Sequence, residues 1–398
     1  MKKLTLALAA ALVVAGCTAL SEPTDRGAVQ RSQTTPVEVF GSRTWLQADA
    51  GYQHTCALDT DGKAWCWGSN EFSQLGVLTG SSCPDVGTCA RRPIAVLGDH
   101  QFVRIASGLA HSCALTAAGA AWCWGGGFED RESGFLGNGF LMRSETPVRV
   151  VSDSVFVDIS AGYDNTCALT AAGQAWCWGR NAKGEGGNGS TLARLIPTVV
   201  PGVDLRFTQI SVGGEHVCAV RTSGAVTCWG SNRFGQLGVS EVSYNDITRF
   251  SASPLRVDAL SGVTAVAAGA DHTCALQADG TISCWGININ AGQLGDSSGL
   301  THRGVPGPIA EDRNYASLAA GFATTCAVSA ASGSYCWGSN FYGAVGIGSR
   351  DTLIYQTPRP TLGGPFVSLT GGGAHMCGIT ADQRLFCWGD RRYGQVGN

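Results

Sequence analysis

Short stretches of alternating apolar and polar residues recur along the chain, and each stops at a glycine. Phe102-Val103-Arg104-Ile105, Phe156-Val157-Asp158-Ile159, Phe207-Thr208-Gln209-Ile210 and Phe366-Val367-Ser368-Leu369 are four of them. Period-two spacing over four to six residues, bounded by glycine, predicts a strand. The glycines that follow (Gly51, Gly108, Gly162, Gly213, Gly269, Gly321 and Gly372) are expected in tight turns. Next comes a motif whose first copy, His54 to Gly68, reads HTCALDTDGKAWCWG. Further copies span 111–125, 165–179, 216–230, 272–286, 324–338 and 375–389, seven in all. Self-similarity at a period of about 50 residues is the signature of a repeat architecture.

Inside the motif, Thr55–Leu58 and Ala64–Trp67 read as two further strands around a loop, Thr60-Asp61-Gly62. A three-residue hairpin loop ending in glycine makes Asp59 face Lys63 and Cys56 face Cys66. The cysteines then fall on a non-hydrogen-bonded pair, where Cα atoms approach to roughly 4.5 Å, within disulfide range. The same spacing pairs Cys113 with Cys123, Cys167 with Cys177, Cys218 with Cys228, Cys274 with Cys284, Cys326 with Cys336 and Cys377 with Cys387. Two copies depart at the loop, where Gly333 is displaced by one residue and Gln383 replaces the glycine, so distorted loops are expected there. Zinc is the other use of paired cysteines, but one pair per repeat lacks two further ligands at a zinc spacing.

After each Trp-Gly comes a stretch such as Asn232-Arg233-Phe234-Gly235-Gln236-Leu237-Gly238, then a variable loop, then a strand expected to start at a proline. The prolines are Pro93, Pro147, Pro197, Pro254, Pro308 and Pro358. These count to six against seven motifs, and the chain stops at Asn398 just after the seventh motif's Gly-Gln-Val-Gly. Thr35-Pro36-Val37-Glu38-Val39 supplies the missing strand from the other end. Such circular closure removes exposed sheet edges. The fold expected is all-β, a seven-bladed propeller of four-stranded blades over residues 35–398.

Composition then narrows the setting. Charged residues are 14% and the net charge is −3, so nothing marks a nucleic-acid footprint. Of 17 cysteines, fourteen belong to the repeats, Cys83 and Cys89 share one loop, and Cys17 stands alone. This arithmetic suits an oxidising compartment.

The N-terminus agrees. Met1-Lys2-Lys3 is basic, and Leu4–Ala15 is an apolar run too short to span a bilayer. It ends in Val14-Ala15-Gly16-Cys17, which resembles the lipobox of bacterial lipoprotein signal peptides. The resemblance implies a signal peptide over 1–16, with cleavage before Cys17, and lipidation of that residue. Residues 17–34 would be the lipidated cysteine and a flexible tether. Thr18 is not the aspartate of inner-membrane retention, which implies an outer-membrane lipoprotein. The alternative is an ordinary secretory signal with an incidental cysteine.

The whole repeat, AG-xx-HTCAL-xx-DG-xxx-CWG-xN-xxGQLG, is similar to that of the regulator of chromosome condensation superfamily. The resemblance implies the seven-bladed propeller. Members serve as an exchange factor for a nuclear GTPase, as a plant ultraviolet photoreceptor and as a secreted inhibitor of β-lactamases. The paired cysteines and export signal depart from the nuclear factor, and none of its GTPase-contacting or chromatin-binding residues carry over.

Candidate chemistry is sparse. His54, His111, His216, His272 and His375 stand two residues before a cysteine, with Asn165 and Thr324 at the other two positions. A metal ring is one reading, and a buried polar residue satisfying a turn in each blade is the other. The tryptophans Trp67, Trp124, Trp178, Trp229, Trp285, Trp337 and Trp388 read as packing between blades, against a light-sensing cluster. Asp59-Thr60-Asp61-Gly62 lacks the remaining oxygen ligands of a calcium loop. No metal or cofactor is expected. Specificity is expected in four insertions, because propeller loops ride on a rigid ring. They are 77–91, with Cys83 paired to Cys89; 126–145, with Glu129-Asp130-Arg131-Glu132; 239–252, with Tyr244, Arg249 and Phe250 as candidate binding residues; and 296–306, with His302 and Arg303. The reading is a monomeric, non-catalytic, lipid-anchored scaffold for a protein or polymer partner. A secreted hydrolase or lyase with its site at the propeller mouth is the second reading. Nucleotide exchange is the third, because an exported chain does not meet cytosolic GTPases.

Overall fold

The computed structural model describes residues 32–78, 82–83, 86–127, 134–202, 204–240, 246–289, 291–331 and 333–398. Cys17, the signal sequence, Glu129–Glu132 and Tyr244 lie outside them. The described residues form seven antiparallel sheets, six of four strands and one of five. Blade 1 runs outward through Trp45–Ala50, His54–Asp59, Ala64–Ser69 and Gly87–Ala95, with Ser82–Cys83 added at its edge. The inner strands of blades 2 to 7 are Phe102–Ser107, Phe156–Ala161, Phe207–Val212, Val263–Ala268, Tyr315–Ala320 and Phe366–Gly371.

The ring closes as expected. Ser32–Glu38 is the outer strand of blade 7 and pairs with Leu385–Asp390. It begins at Ser32, three residues ahead of the expected boundary. The closing interface packs Val39, Trp45, Ala57 and Trp67 against Cys377, Ile379 and Leu385, an apolar layer of the kind that fills the other interfaces. The core is therefore a set of layers between blades.

Hairpin register is as expected too. Cys56 faces Cys66 and Asp59 N–H donates to the Lys63 carbonyl. All seven repeat pairs are disulfides with Cα atoms 4.1 Å apart, and Cys83 is bonded to Cys89.

Three expectations change. First, the outer strands do not start at their prolines. Ile94 faces Cys66 and Ala90 faces Gly68, so Arg91, Arg92 and Pro93 bulge opposite Trp67. A bulge suits a residue that has no N–H to donate. In blade 5 the bulge spans 304–306, so the equivalent proline is Pro306 and not Pro308. Second, the blade 7 loop is not distorted. Gln383 takes φ 63° and keeps the hydrogen bond to the Thr380 carbonyl that Gly62 makes to Asp59. Third, the glycines ending the inner strands are not there for turn conformation, and none has a positive φ. A Cβ on each would strike the carbonyl of the next blade's glycine: Gly51 meets Gly108, Gly108 meets Gly162, and so on until Gly372 meets Gly51. Seven backbones converge on the axis, leaving no room for a methyl. Gly51→Ala would place its methyl 2.6 Å from the Gly108 oxygen and against the His54 ring, whereas Gly321→Ala meets only the Gly372 oxygen, at 2.7 Å. Urea unfolding is expected to show a loss of about 1–3 kcal/mol for Gly51→Ala and a smaller loss for Gly321→Ala.

Candidate functional site

The residues that repeat most faithfully are occupied in joining blades. Each motif tryptophan donates its indole N–H to a backbone carbonyl of the preceding blade. Trp67 reaches Gln395 at 2.8 Å, Trp124 reaches Gln74 at 3.0 Å, Trp285 reaches Gln236 at 2.8 Å, and Trp178, Trp229, Trp337 and Trp388 do the same. The histidines point the other way. His54 Nε2 meets Ser112 Oγ of blade 2 at 2.9 Å. His111 meets Thr166, His216 meets Thr273, His272 meets Thr325 and His375 meets Thr55, at 2.8–3.0 Å. The hydroxyls of Ser112, Thr273, Thr325 and Thr55 donate to backbone carbonyls of Gln74, Gln236, Gln293 and Gln395. At these four interfaces the hydroxyl proton is already committed, so Nε2 carries the histidine proton.

The exceptions confirm the pairing. Blade 3 has Asn165 for histidine, and blade 4 then has Val217 for the hydroxyl. Blade 6 has Thr324, and blade 7 then has Met376. Histidine and hydroxyl are present together or absent together at every interface. The buried-polar reading of the histidines holds, with the partner in the next blade and not in a turn. Among the described residues no group of three or more His, Cys, Asp or Glu could hold a metal ion. Burial pushes His54 and His216 down to about 3 and His111, His272 and His375 down to about 4.

Polar side chains on the inner strands are also committed. Inner-strand edges have no neighbouring strand, and side chains bridge them. Gln47 accepts from Ile105 N–H and donates to its carbonyl, and Gln209 treats Val266 likewise. Asp49 accepts from Ser107 N–H at 2.6 Å and from Thr370 Oγ1 at 2.8 Å, yet burial still pushes its carboxyl up to about 6. Asp49, Ser107, Gln209 and Thr370 line an axial cavity of about 340 Å³. Where the inner strands end, Tyr52, Tyr163 and Phe322 from blades 1, 3 and 6 meet across the axis, with ring centroids 6.0–6.2 Å apart.

The variable insertions lie on that same face, because third strands end and outer strands begin there. Asp164, Glu215 and Asp271 stand one residue ahead of the histidine position in three consecutive blades. Arg180 pairs with Glu215 at 2.6 Å and lies 3.8 Å from Asp164. Gln236 Nε2 donates to Asp271 at 3.0 Å. Burial, reinforced by Glu215 and eased by Arg233, raises the Asp271 carboxyl to about 7. The buried Tyr163 hydroxyl beside them has no hydrogen-bond partner. On blade 7, Arg392 is held by Asp390 and lies 4.4 Å from the centre of the Tyr342 ring. The face thus carries an acidic sector and an arginine–tyrosine sector around an aromatic plug.

Of the sequence-singled residues, Arg249 and Phe250 are exposed on this face, Arg249 pairing with Asp246 at 3.2 Å. Lys183 reaches the Ile247 carbonyl and lies 5.9 Å from the Phe250 ring. Arg303 is spent internally in an ion pair with buried Asp296.

The repeat profiles for the regulator of chromosome condensation match 46–74, 102–129, 156–185, 207–236, 263–293 and 366–395, and, in a longer form, 61–115, 172–220 and 223–276. The chain belongs to this repeat family. It is 31% identical to the ultraviolet-B receptor UVR8 of Arabidopsis thaliana over 74% of its own length and 66% of the receptor. It is 32% identical to the probable E3 ubiquitin-protein ligase HERC6 of Homo sapiens over 65% of its length, but only 25% of that protein. It thus spans less than two thirds of either relative. Its fold is similar to yeast RCC1 (Prp20), solved with Kap60, with a TM-score of 0.73, 23% identity and coverage of 87% and 80% of the two chains. Human WBSCR16 gives 0.73, 20%, 90% and 89%.

Proposed function

We propose that this chain is an outer-membrane lipoprotein, anchored through Cys17, whose propeller is a non-catalytic scaffold. It holds a protein or polymer partner on the face that carries the insertions. One observation carries the reading: the histidines, tryptophans and disulfides of the repeat are consumed in building the ring. What differs most between blades is the insertion loops. There, arginine and aromatic side chains stand exposed beside buried acids, a composition suited to a protein contact. The family supports it, since yeast RCC1 was solved bound to Kap60, and Prp20p is described by its binding to Gsp1p and histones.

The test is cross-linking and capture of the full-length protein from its own envelope, beside an Arg249→Ala/Phe250→Ala variant. The expected result is a partner recovered with the native chain and depleted with the variant, while Cys17→Ser removes the lipid from the N-terminal peptide. Equal recovery with both would remove this loop from the contact. Turnover of a glycan or peptide by the purified chain would overturn the non-catalytic reading.

A further inference from the structure

We infer that the blade 2 and blade 3 edge of the insertion-loop face touches the lipid bilayer that holds the anchor, with Phe140, Leu141 and Met142 inserted into it, while the blade 4 loop with Arg249 and Phe250 stays open to a partner. The inference rests on the lipid-anchor reading. Three consecutive apolar residues stand at the tip of the blade 2 insertion, with Phe140 69% and Met142 79% exposed. Exposed apolar runs of that length are rare in a soluble chain without a surface to cover them. The neighbouring blade 3 loop, joined to this one by Gly139 N–H donating to the Leu195 carbonyl, carries Leu192 at 70% exposure.

The position of these residues selects the occupant. Met142 stands two residues before the outer strand of blade 2, Ser144–Arg149. Leu192 stands two before that of blade 3, Arg194–Val199, Leu300 two before that of blade 5, His302–Pro308, and Leu353 one before that of blade 6, Ile354–Pro360. All are exposed, as is Ile247 ahead of the blade 4 strand Phe250–Val257. In blade 7 the outer strand begins at Ser32, which faces Asp390 at this same end of the blade. Exposed apolar side chains on blades 2 to 6 and the N-terminal end of the blade 7 outer strand therefore share one level of one face. Residues 18–31 can reach at most about 50 Å when extended, so a lipid on Cys17 would hold Ser32 within about that distance of the membrane. Arg143, exposed next to Met142, is placed to meet lipid phosphate.

Flotation with phosphatidylethanolamine–phosphatidylglycerol vesicles separates the two readings. Residues 17–398 carrying Cys17→Ser, which lack both the lipid and the apolar signal run, are expected to float through the tip alone. Adding Phe140→Ser, Leu141→Ser and Met142→Ser is expected to weaken its partitioning by at least about tenfold. Unchanged thermal unfolding shows that the substituted ring is intact. No flotation of the Cys17→Ser chain, or equal flotation with and without the tip, overturns the inference. A concentration-dependent dimer abolished by the tip substitutions also overturns it, because a second copy then covers this face. Mass spectrometry of the native N-terminal peptide reports the anchor independently of either outcome.

Discussion

Acid is expected to unfold this propeller steeply between about pH 6 and pH 4. The five buried histidines are held at about 3 to 4 in the folded chain, against 6.5 when free. A folded value below the unfolded one gives stability that is full above pH 6.5 and is lost as pH falls towards the folded value. One proton of difference is worth about 1.4 kcal/mol per pH unit, so five histidines alone give about 7. Asp49 and Asp271 work against this. Their folded values of about 6 and 7 lie above the free value of 3.8, so near pH 5 the folded chain holds two protons that the unfolded chain lacks. Asp158 and Glu185 are raised by burial and offset further. The net slope expected near pH 5 is about 1–4 kcal/mol per pH unit, a large share of a typical total of about 5–15 kcal/mol. Urea unfolding as a function of pH measures it directly. Replacing one pair by His216→Asn/Thr273→Val should lower the slope by about 1.4 kcal/mol per pH unit. Stability that rises as pH falls from about 6 to about 4 would show that the histidines titrate normally in the folded chain, because the raised carboxyls alone would then set the slope.

The disulfides carry the second large effect. Each repeat pair closes a loop whose ends are ten residues apart, and every half-cystine in these pairs is at most 1% exposed. A loop of this size constrains the unfolded chain by about 2–3 kcal/mol. A formed hairpin has already lost part of that entropy, so the terms do not add in full. Even about 1 kcal/mol for each of seven pairs would rival the usual stability of a domain. The expected outcome is slow reduction of the native protein by thiols, because the sulfurs are inaccessible, and full reduction in denaturant. On dilution from denaturant with thiol present, the reduced chain should fail to regain its fold, and Cys218→Ala/Cys228→Ala should cost about 2–4 kcal/mol. Thiol counting with circular dichroism follows both. Rapid reduction without denaturant, or refolding of the reduced chain to native stability, would show that the staples are dispensable. The result bears on compartment, since such a fold suits export.

How much of this could be read from residues alone depends on how local the determinant is. Facing of Cys56 and Cys66 follows from loop length and a fixed spacing, so hairpin register was legible. Ring closure was legible because a strand is missing at one end and spare at the other. The proline in blade 5 was misplaced because Pro306 and Pro308 are both available and only the ladder shows which one bulges. The inner-strand glycines were recognised, but not their purpose, since crowding at the axis involves seven blades at once. The aromatic plug was missed for a related reason. Tyr52, Tyr163 and Phe322 occupy one repeat position in blades that are not neighbours, and only the closed ring brings them together. The histidine links left a signal that went unused. Asn165 and Thr324 stand out in the sequence, and Val217 and Met376 in the following copies are their counterparts. Loop determinants leave no such trace, because Arg249, Phe250 and Met142 recur nowhere in register.

The claim on which the account rests is that the repeat motif joins each blade to the next through histidine and hydroxyl. A double-mutant cycle on His216 and Thr273, followed by urea unfolding, tests it most directly. Thr273→Val strands the His216 N–H and His216→Asn deprives the Thr273 hydroxyl of its incoming donor, and each is expected to cost about 1–3 kcal/mol. The pair together copies the natural Asn165–Val217 interface. It is expected to cost less than the sum of the two by about 1 kcal/mol or more. Additivity within about 0.3–0.5 kcal/mol would contradict the link.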